Sequence, residues 1–96
     1  VSLDEDKRLE AVISGRVQGV GFRYFTTRCA DSIGGITGWV KNEPDGTVKL
    51  VAEGAAKNLE QLLKKVQKGP TSARVSNVDL KWKQAKNDFD SFGVRY

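Results

Sequence analysis

Gly15, Gly19, Gly21 and Arg23 are the first residues whose types and spacing carry chemistry. They fall in Gly15-Arg16-Val17-Gln18-Gly19-Val20-Gly21-Phe22-Arg23. An alternating, strand-like run (Leu9 to Ser14) precedes this stretch, and a run of helical spacing (Phe22 to Ile33) follows it. Glycine adopts backbone conformations closed to other residues and leaves its amide uncovered. Amides at a helix N-terminus lack intrahelical acceptors and sit at the positive end of the helix dipole. The backbone from Val17 to Arg23 (Val17, Gln18, Gly19, Val20, Gly21, Phe22, Arg23) is therefore material for an anion cradle. Arg23, in the first helical turn, adds a planar fork of donors suited to a phosphoryl group. The alternative is that the glycines only shape a strand-to-helix turn. Two common phosphate signatures do not decide between them. No Gly-Lys-Ser/Thr closes the loop, and Tyr24 stands where a dinucleotide-binding loop needs a small residue.

The second candidate is Asn42, in Gly38-Trp39-Val40-Lys41-Asn42-Glu43-Pro44-Asp45-Gly46-Thr47-Val48. Asparagine beside a turn ordinarily shapes it by bonding a backbone amide two residues on. The other reading is that a side chain leaving the end of a strand faces the glycine loop. Missing residue types narrow the chemistry. With no histidine, histidine nucleophiles and general bases are excluded. Cys29 has Gly35, not arginine, six positions later, and its place on an apolar helix face predicts a buried, unreactive thiol. One cysteine and scattered carboxylates offer no cluster for a transition metal or magnesium. Electrostatic stabilisation and positioning remain.

The elements that must hold these groups can be read in order. Residues 1–7 read as a loose tail, and 8–96 as one domain. Leu9, Ala11 and Ile13 alternate with Glu10, Val12 and Ser14 as a first strand. Phe22, Phe25, Cys29, Ala30 and Ile33 mark an amphipathic helix that Gly34-Gly35 ends. Ile36 to Asn42 and Thr47 to Glu53 make a hairpin through Pro44-Asp45-Gly46. A second helix runs from Ala55 to Lys68, with a Glu60–Lys64 pair, and Gly69-Pro70 stops it. Val78, Leu80 and Trp82 mark a fourth strand, and Phe92 to Tyr96 a fifth at an edge; Trp39 and Trp82 read as packing residues. Right-handed crossovers with two helices on one face predict a ferredoxin-like βαββαβ α/β (α+β) sandwich with an antiparallel sheet and a short fifth strand.

Taken together, the two stretches resemble the acylphosphatase family. The first fits Gly15-x-Val17-Gln18-Gly19-Val20-x-Phe22-Arg23. The second fits Gly38-x-Val40-x-Asn42-x-x-Asp45-Gly46-x-Val48 and ends at Gly54. The resemblance runs from about residue 8 to Tyr96 and includes the order of elements. It implies hydrolysis of the carboxyl–phosphate anhydride of acyl phosphates, releasing a carboxylate and inorganic phosphate. It also implies that Arg23 and the amides of residues 17–23 bind phosphate and that Asn42 positions the attacking water. No metal or organic cofactor is implied.

Composition agrees with that reading. No apolar run approaches the ~20 residues of a membrane span, and the polar start argues against a secretory signal. A lone cysteine forms no internal disulfide, which points to the cytoplasm. The expected partner is a small acyl phosphate, with no nucleic acid, no membrane and a monomeric state. Two rivals stay open. The net charge of +4, with its excess in residues 57–86, fits an RNA-binding module of the same fold. However, the outer faces of the first and third strands offer Glu10, Val12, Lys49 and Val51 and no aromatic for base stacking. The other rival is one domain of a larger carbamoyl-phosphate-handling maturation protein; the absence of zinc-ligand clusters and the chain's clean end point instead to a free-standing enzyme.

Overall fold

Alternating side chains specify strands here, and a 3.6-residue apolar period specifies helices. The resulting order is β1 (Asp6–Arg16), α1 (Phe22–Ile33), β2 (Thr37–Asn42), β3 (Val48–Ala55), α2 (Ala56–Lys68), β4 (Arg74–Gln84) and β5 (Phe92–Arg95). These elements come from a computed structural model describing residues 5–96. The strands form one sheet in the order β4-β1-β3-β2-β5. β1 runs antiparallel to β3 and β4, β2 antiparallel to β3, and β5 parallel to β2. This is the expected ferredoxin-like arrangement, with β5 at the edge; the parallel β2–β5 pairing makes the sheet mixed where a wholly antiparallel one was expected, because β5 returns to the far edge after crossing the sheet.

Leu9, Ala11, Ile13, Val40, Val48, Leu50 and Ala52 share one face of the sheet and are at most 1% exposed. They pack against Phe22, Ala30, Leu59, Leu62 and Val66 of the helices. Burying each large apolar side chain contributes about 1.5–3 kcal/mol, so this layer supplies the fold's main cohesion. The topology also sets direction. β1 and β2 each run antiparallel to β3, so they run parallel to one another, and β5 runs with β2. The C-terminal ends of β1, β2 and β5 therefore open at one end of the sheet. The N-terminus of α1, which follows β1 after a short loop, lies there too.

Several expectations change. Asp6 and Lys7, read as tail, pair with Ala55 and Gly54 in β1; residues 1–4 of that tail lie outside the described residues. β4 begins at Arg74, well before Val78, and reaches Arg16 across a register shift at Ser14/Gly15. An edge strand is selected by pairing with its neighbour, so its polar start gave no alternation to read. For the same reason Leu80 and Trp82 stay 36% and 40% exposed. Cys29 is half-buried, and burial pushes its thiol pKa up despite Lys65 and Arg28 nearby. Among the described residues no ion pair joins Glu60 to Lys64. No helix among the described residues is long and apolar enough to cross a membrane.

β4 and β5 lie at opposite edges, so the segment between them must cross the sheet. It does so on the face away from the helices and is held at Glu53, a charged residue only 4% exposed. The amides of Lys86 and Asn87 each donate to its carboxylate at 2.9 Å, and the Arg8 guanidinium donates at 3.0 Å. Arg8 also donates to Glu10 at 2.8 Å and lies over the Phe89 ring. Burial pushes the Glu53 carboxyl up, but these hydrogen bonds outweigh it and hold its pKa below the ordinary 4.5. A depressed folded-state pKa adds stability above the unfolded value, and that stability is lost as pH falls through the folded one. Glu53→Gln is therefore expected to lower the unfolding free energy at pH 7 by about 2–3 kcal/mol, measured by urea denaturation. The difference from the parent protein should shrink as pH drops below 4.5. Equal stability at pH 7 removes this role from Glu53.

Candidate active site

The loop after β1 is anchored by Val17, which returns to the core at 1% exposure. Gly19 and Gly21 then take left-handed backbone angles, φ 73° and 78°, which cost an L-residue roughly 1–2 kcal/mol. A Cβ built at either position would meet no protein atom within 4 Å, so glycine there avoids strain and leaves open space before the amides. Gly21 is the N-cap of α1, and no side chain caps it; the first turn carries no acidic residue. Such caps normally satisfy one of the orphan amides. Among the described residues no acceptor meets the amides of Gln18 to Arg23. The positive end of the helix dipole is thus left for an external anion.

Gln18 joins this loop to the β2–β3 hairpin. Its side-chain amide donates to the carbonyls of Glu43 at 2.7 Å and Thr47 at 2.9 Å. The hairpin is closed by Glu43 N–H to Thr47 O at 2.9 Å. Asp45 shapes the turn: its Oδ1 accepts from the Thr47 amide at 3.0 Å and from the Thr47 hydroxyl. That excludes the turn-forming reading of Asn42, because Asp45 fills the role. Asn42 Oδ1 is instead buried with no hydrogen-bond partner among the described residues. Buried polar atoms are rarely left so.

Arg23 and Asn42, distant in sequence, line a single cleft of ≈ 220 Å³ together with Val17, Gly19, Gly21, Phe22, Tyr24, Val94 and Tyr96. No Asp or Glu is among these lining residues. Among the described residues Arg23 makes no ion pair. Its guanidinium lies 5.0 Å from the centre of the Tyr96 ring. Gln18 and Val20, included in the expected anion loop, are absent from the lining. Gln18 braces the hairpin and Val20 packs on the core. Gly15 and Arg16 also lie outside the cleft. Among the described residues no group of three or more His, Cys, Asp or Glu is placed to hold a metal ion.

Tyr24, Val94 and Tyr96 line the cleft without having been singled out from the sequence. Val94 and Tyr96 arrive because β5 runs parallel to β2, with Val94 paired to Val40, a relation no local pattern encodes. The available signal was Tyr24, an aromatic that breaks a nucleotide-loop pattern one residue after Arg23.

A sequence model of the acylphosphatase family matches residues 9–94. A curated acylphosphatase from Salinibacter ruber is 52% identical over 90 residues, covering 94% of each chain. The crystal structure of acylphosphatase from Bacillus subtilis superposes with a TM-score of 0.89 at 33% identity, covering 94% of this chain and 99% of that one. The structure of an acylphosphatase from Coxiella burnetii gives 0.86 at 36% identity, covering 95% and 94%.

Proposed function

The chain belongs to the acylphosphatase family, and from that premise we propose how it hydrolyses the carboxyl–phosphate anhydride of acyl phosphates. The phosphoryl oxygens sit against the amides of the Val17–Arg23 loop and the Arg23 guanidinium. A loose phosphoryl-transfer transition state spreads charge over those oxygens, where preorganised donors stabilise it most. Asn42 accepts a hydrogen bond from the attacking water and holds it in line behind phosphorus. An amide is not basic enough to remove the water's proton, so a phosphoryl oxygen takes it. The new P–O bond forms as the bond to the acyl oxygen breaks. The departing carboxylate is a stable anion and needs no general acid.

One observation carries this reading. An uncapped helix N-terminus and, among the described residues, an arginine without an ion pair and a buried unpartnered carboxamide oxygen meet in one cleft. The buried oxygen is costly alone, and a phosphoryl group with its attacking water offers partners to all three. A single chain supplies every group the mechanism uses, which supports a monomeric enzyme acting on a small molecule without nucleic acid. The lone cysteine supports a cytoplasmic setting.

The test is hydrolysis of benzoyl phosphate beside a phosphomonoester such as p-nitrophenyl phosphate, in excess EDTA. Phosphate release from the first only is expected. Release requiring added metal overturns the mechanism, and comparable cleavage of both overturns the reliance on an activated leaving group.

A further inference from the structure

We propose that Gln18 is a positioning residue for the hydrolysis: its side chain sets the spacing between the anion loop and the water held by Asn42, and so acts on kcat while touching neither phosphate nor water. The inference rests on the acyl phosphate reading above and adds what that reading leaves undefined, how two separate loops are kept in register.

The groups that must cooperate come from different elements. The loop amides and Arg23 lie between β1 and the first turn of α1, whereas Asn42 ends β2. Val17 and Phe22 fix the ends of the first loop in the core, at 1% and 2% exposure. Between them Gly19 and Gly21 hold left-handed angles, with no protein atom within 4 Å of where a Cβ would stand. Glycine has more backbone freedom to lose than any other residue, so this stretch needs an external tie to keep one shape. Among the described residues only Gln18, of residues 17–21, makes a side-chain hydrogen bond.

The place it grips is specific. Asn42 pairs with Val48 across the β2–β3 hairpin. The carbonyls that accept from Gln18 Nε2 belong to Glu43 and Thr47, the residues directly beyond that pair on either side of the turn. Neither carbonyl depends on Gln18 for a partner. Glu43 O also accepts from the Gly46 amide at 3.1 Å, and Thr47 O from the Glu43 amide at 2.9 Å. The hairpin therefore closes without Gln18. What the paired bond adds is a fixed distance from the loop to Asn42, with both hydrogens of one amide nitrogen engaged. In-line attack is sensitive to that distance, since a misplacement of about 1 Å can cost roughly 100-fold in rate. Phosphate affinity is less sensitive, because the loop amides move with the anion they hold.

The experiment is a double-mutant cycle on benzoyl phosphate with the parent protein, Gln18→Met, Asn42→Ala and the double variant. Inhibition by inorganic phosphate is measured for each. Methionine keeps the length of the side chain and removes both donors. Gln18→Met should lower kcat by roughly 10- to 30-fold and shift phosphate inhibition by less than about threefold. In the Asn42→Ala background the same change should cost less than about twofold, because no held water is left to misplace; independent sites would instead multiply their losses. Gln18→Glu supplies a second arm. Its carboxylate faces two carbonyl oxygens and donates to neither, but protonation restores one donor. Its deficit relative to the parent should therefore shrink as pH falls through the range of that carboxyl, and the deficit of Gln18→Met should not. Losses that multiply across the cycle overturn the proposal, as do parent-like kcat in Gln18→Met and a Gln18→Glu deficit that ignores pH. Equal falls in kcat and in phosphate inhibition also overturn it, by making Gln18 part of the anion loop. A parent protein that releases no phosphate from benzoyl phosphate overturns the hydrolase reading itself, and this inference with it.

Discussion

Arg23→Lys is expected to lower kcat/KM on an acyl phosphate by roughly 30- to 1,000-fold, about 2–4 kcal/mol of transition-state stabilisation, on the scale of removing one oxyanion donor. Lysine keeps the positive charge, so long-range attraction of the substrate survives. What it loses is the planar fork that meets two phosphoryl oxygens at once. The substitution isolates that property cleanly. Among the described residues Arg23 makes no ion pair, and its recorded aromatic neighbour is the exposed Tyr96 ring. The variant should therefore unfold within about 0.5 kcal/mol of the parent, as a surface change does. Steady-state kinetics beside urea denaturation separate the two effects. Near-normal turnover in a well-folded Arg23→Lys protein removes the guanidinium from the mechanism.

Asn42→Ala should act on a different parameter. If the carboxamide holds water and does not hold phosphate, its removal lowers kcat by about 100-fold, whereas inhibition by inorganic phosphate shifts by less than about threefold, under ~0.7 kcal/mol. Stability offers a second and less usual readout. Removing one partner of a buried hydrogen bond normally costs stability because the other is stranded. Among the described residues Asn42 Oδ1 has no partner to strand, so the variant should be as stable as the parent or slightly more so. That pattern, activity lost with stability kept, is the signature of a polar group retained for function. Parallel losses in kcat and in phosphate affinity would instead make Asn42 a binding residue, and a marked fall in stability would make it a structural one.

How far the site was legible depends on whether the relevant physics is local. The glycine loop could be read because left-handed backbone demands glycine, and three such residues before a helical run are visible in any chain. Gln18 could be placed in the loop, but not as its brace, because its acceptors, the carbonyls of Glu43 and Thr47, lie a hairpin away. Asn42 remained divided between two roles until Asp45 was seen to shape the turn. The start of β4 was missed because its first residues are polar, and only pairing with β1 makes them a strand. Glu53 looked like an ordinary strand-end carboxylate. Its burial depends on a segment crossing from one sheet edge to the other, which the order of strands decides.

By itself the sequence determined the order of strands and helices, the inward faces of β1 and β3, and a short list of groups able to hold a phosphoryl anion. Side-chain periodicity, glycine's backbone freedom and the absence of histidine are properties of neighbouring residues and need no third dimension. Only the tertiary structure decided that Arg23 and Asn42 share a cleft, and that Tyr24, Val94 and Tyr96 complete it. The reason is directional. β1, β2 and β5 run the same way, so their ends gather beside the start of α1, and that convergence exists only once the sheet has formed.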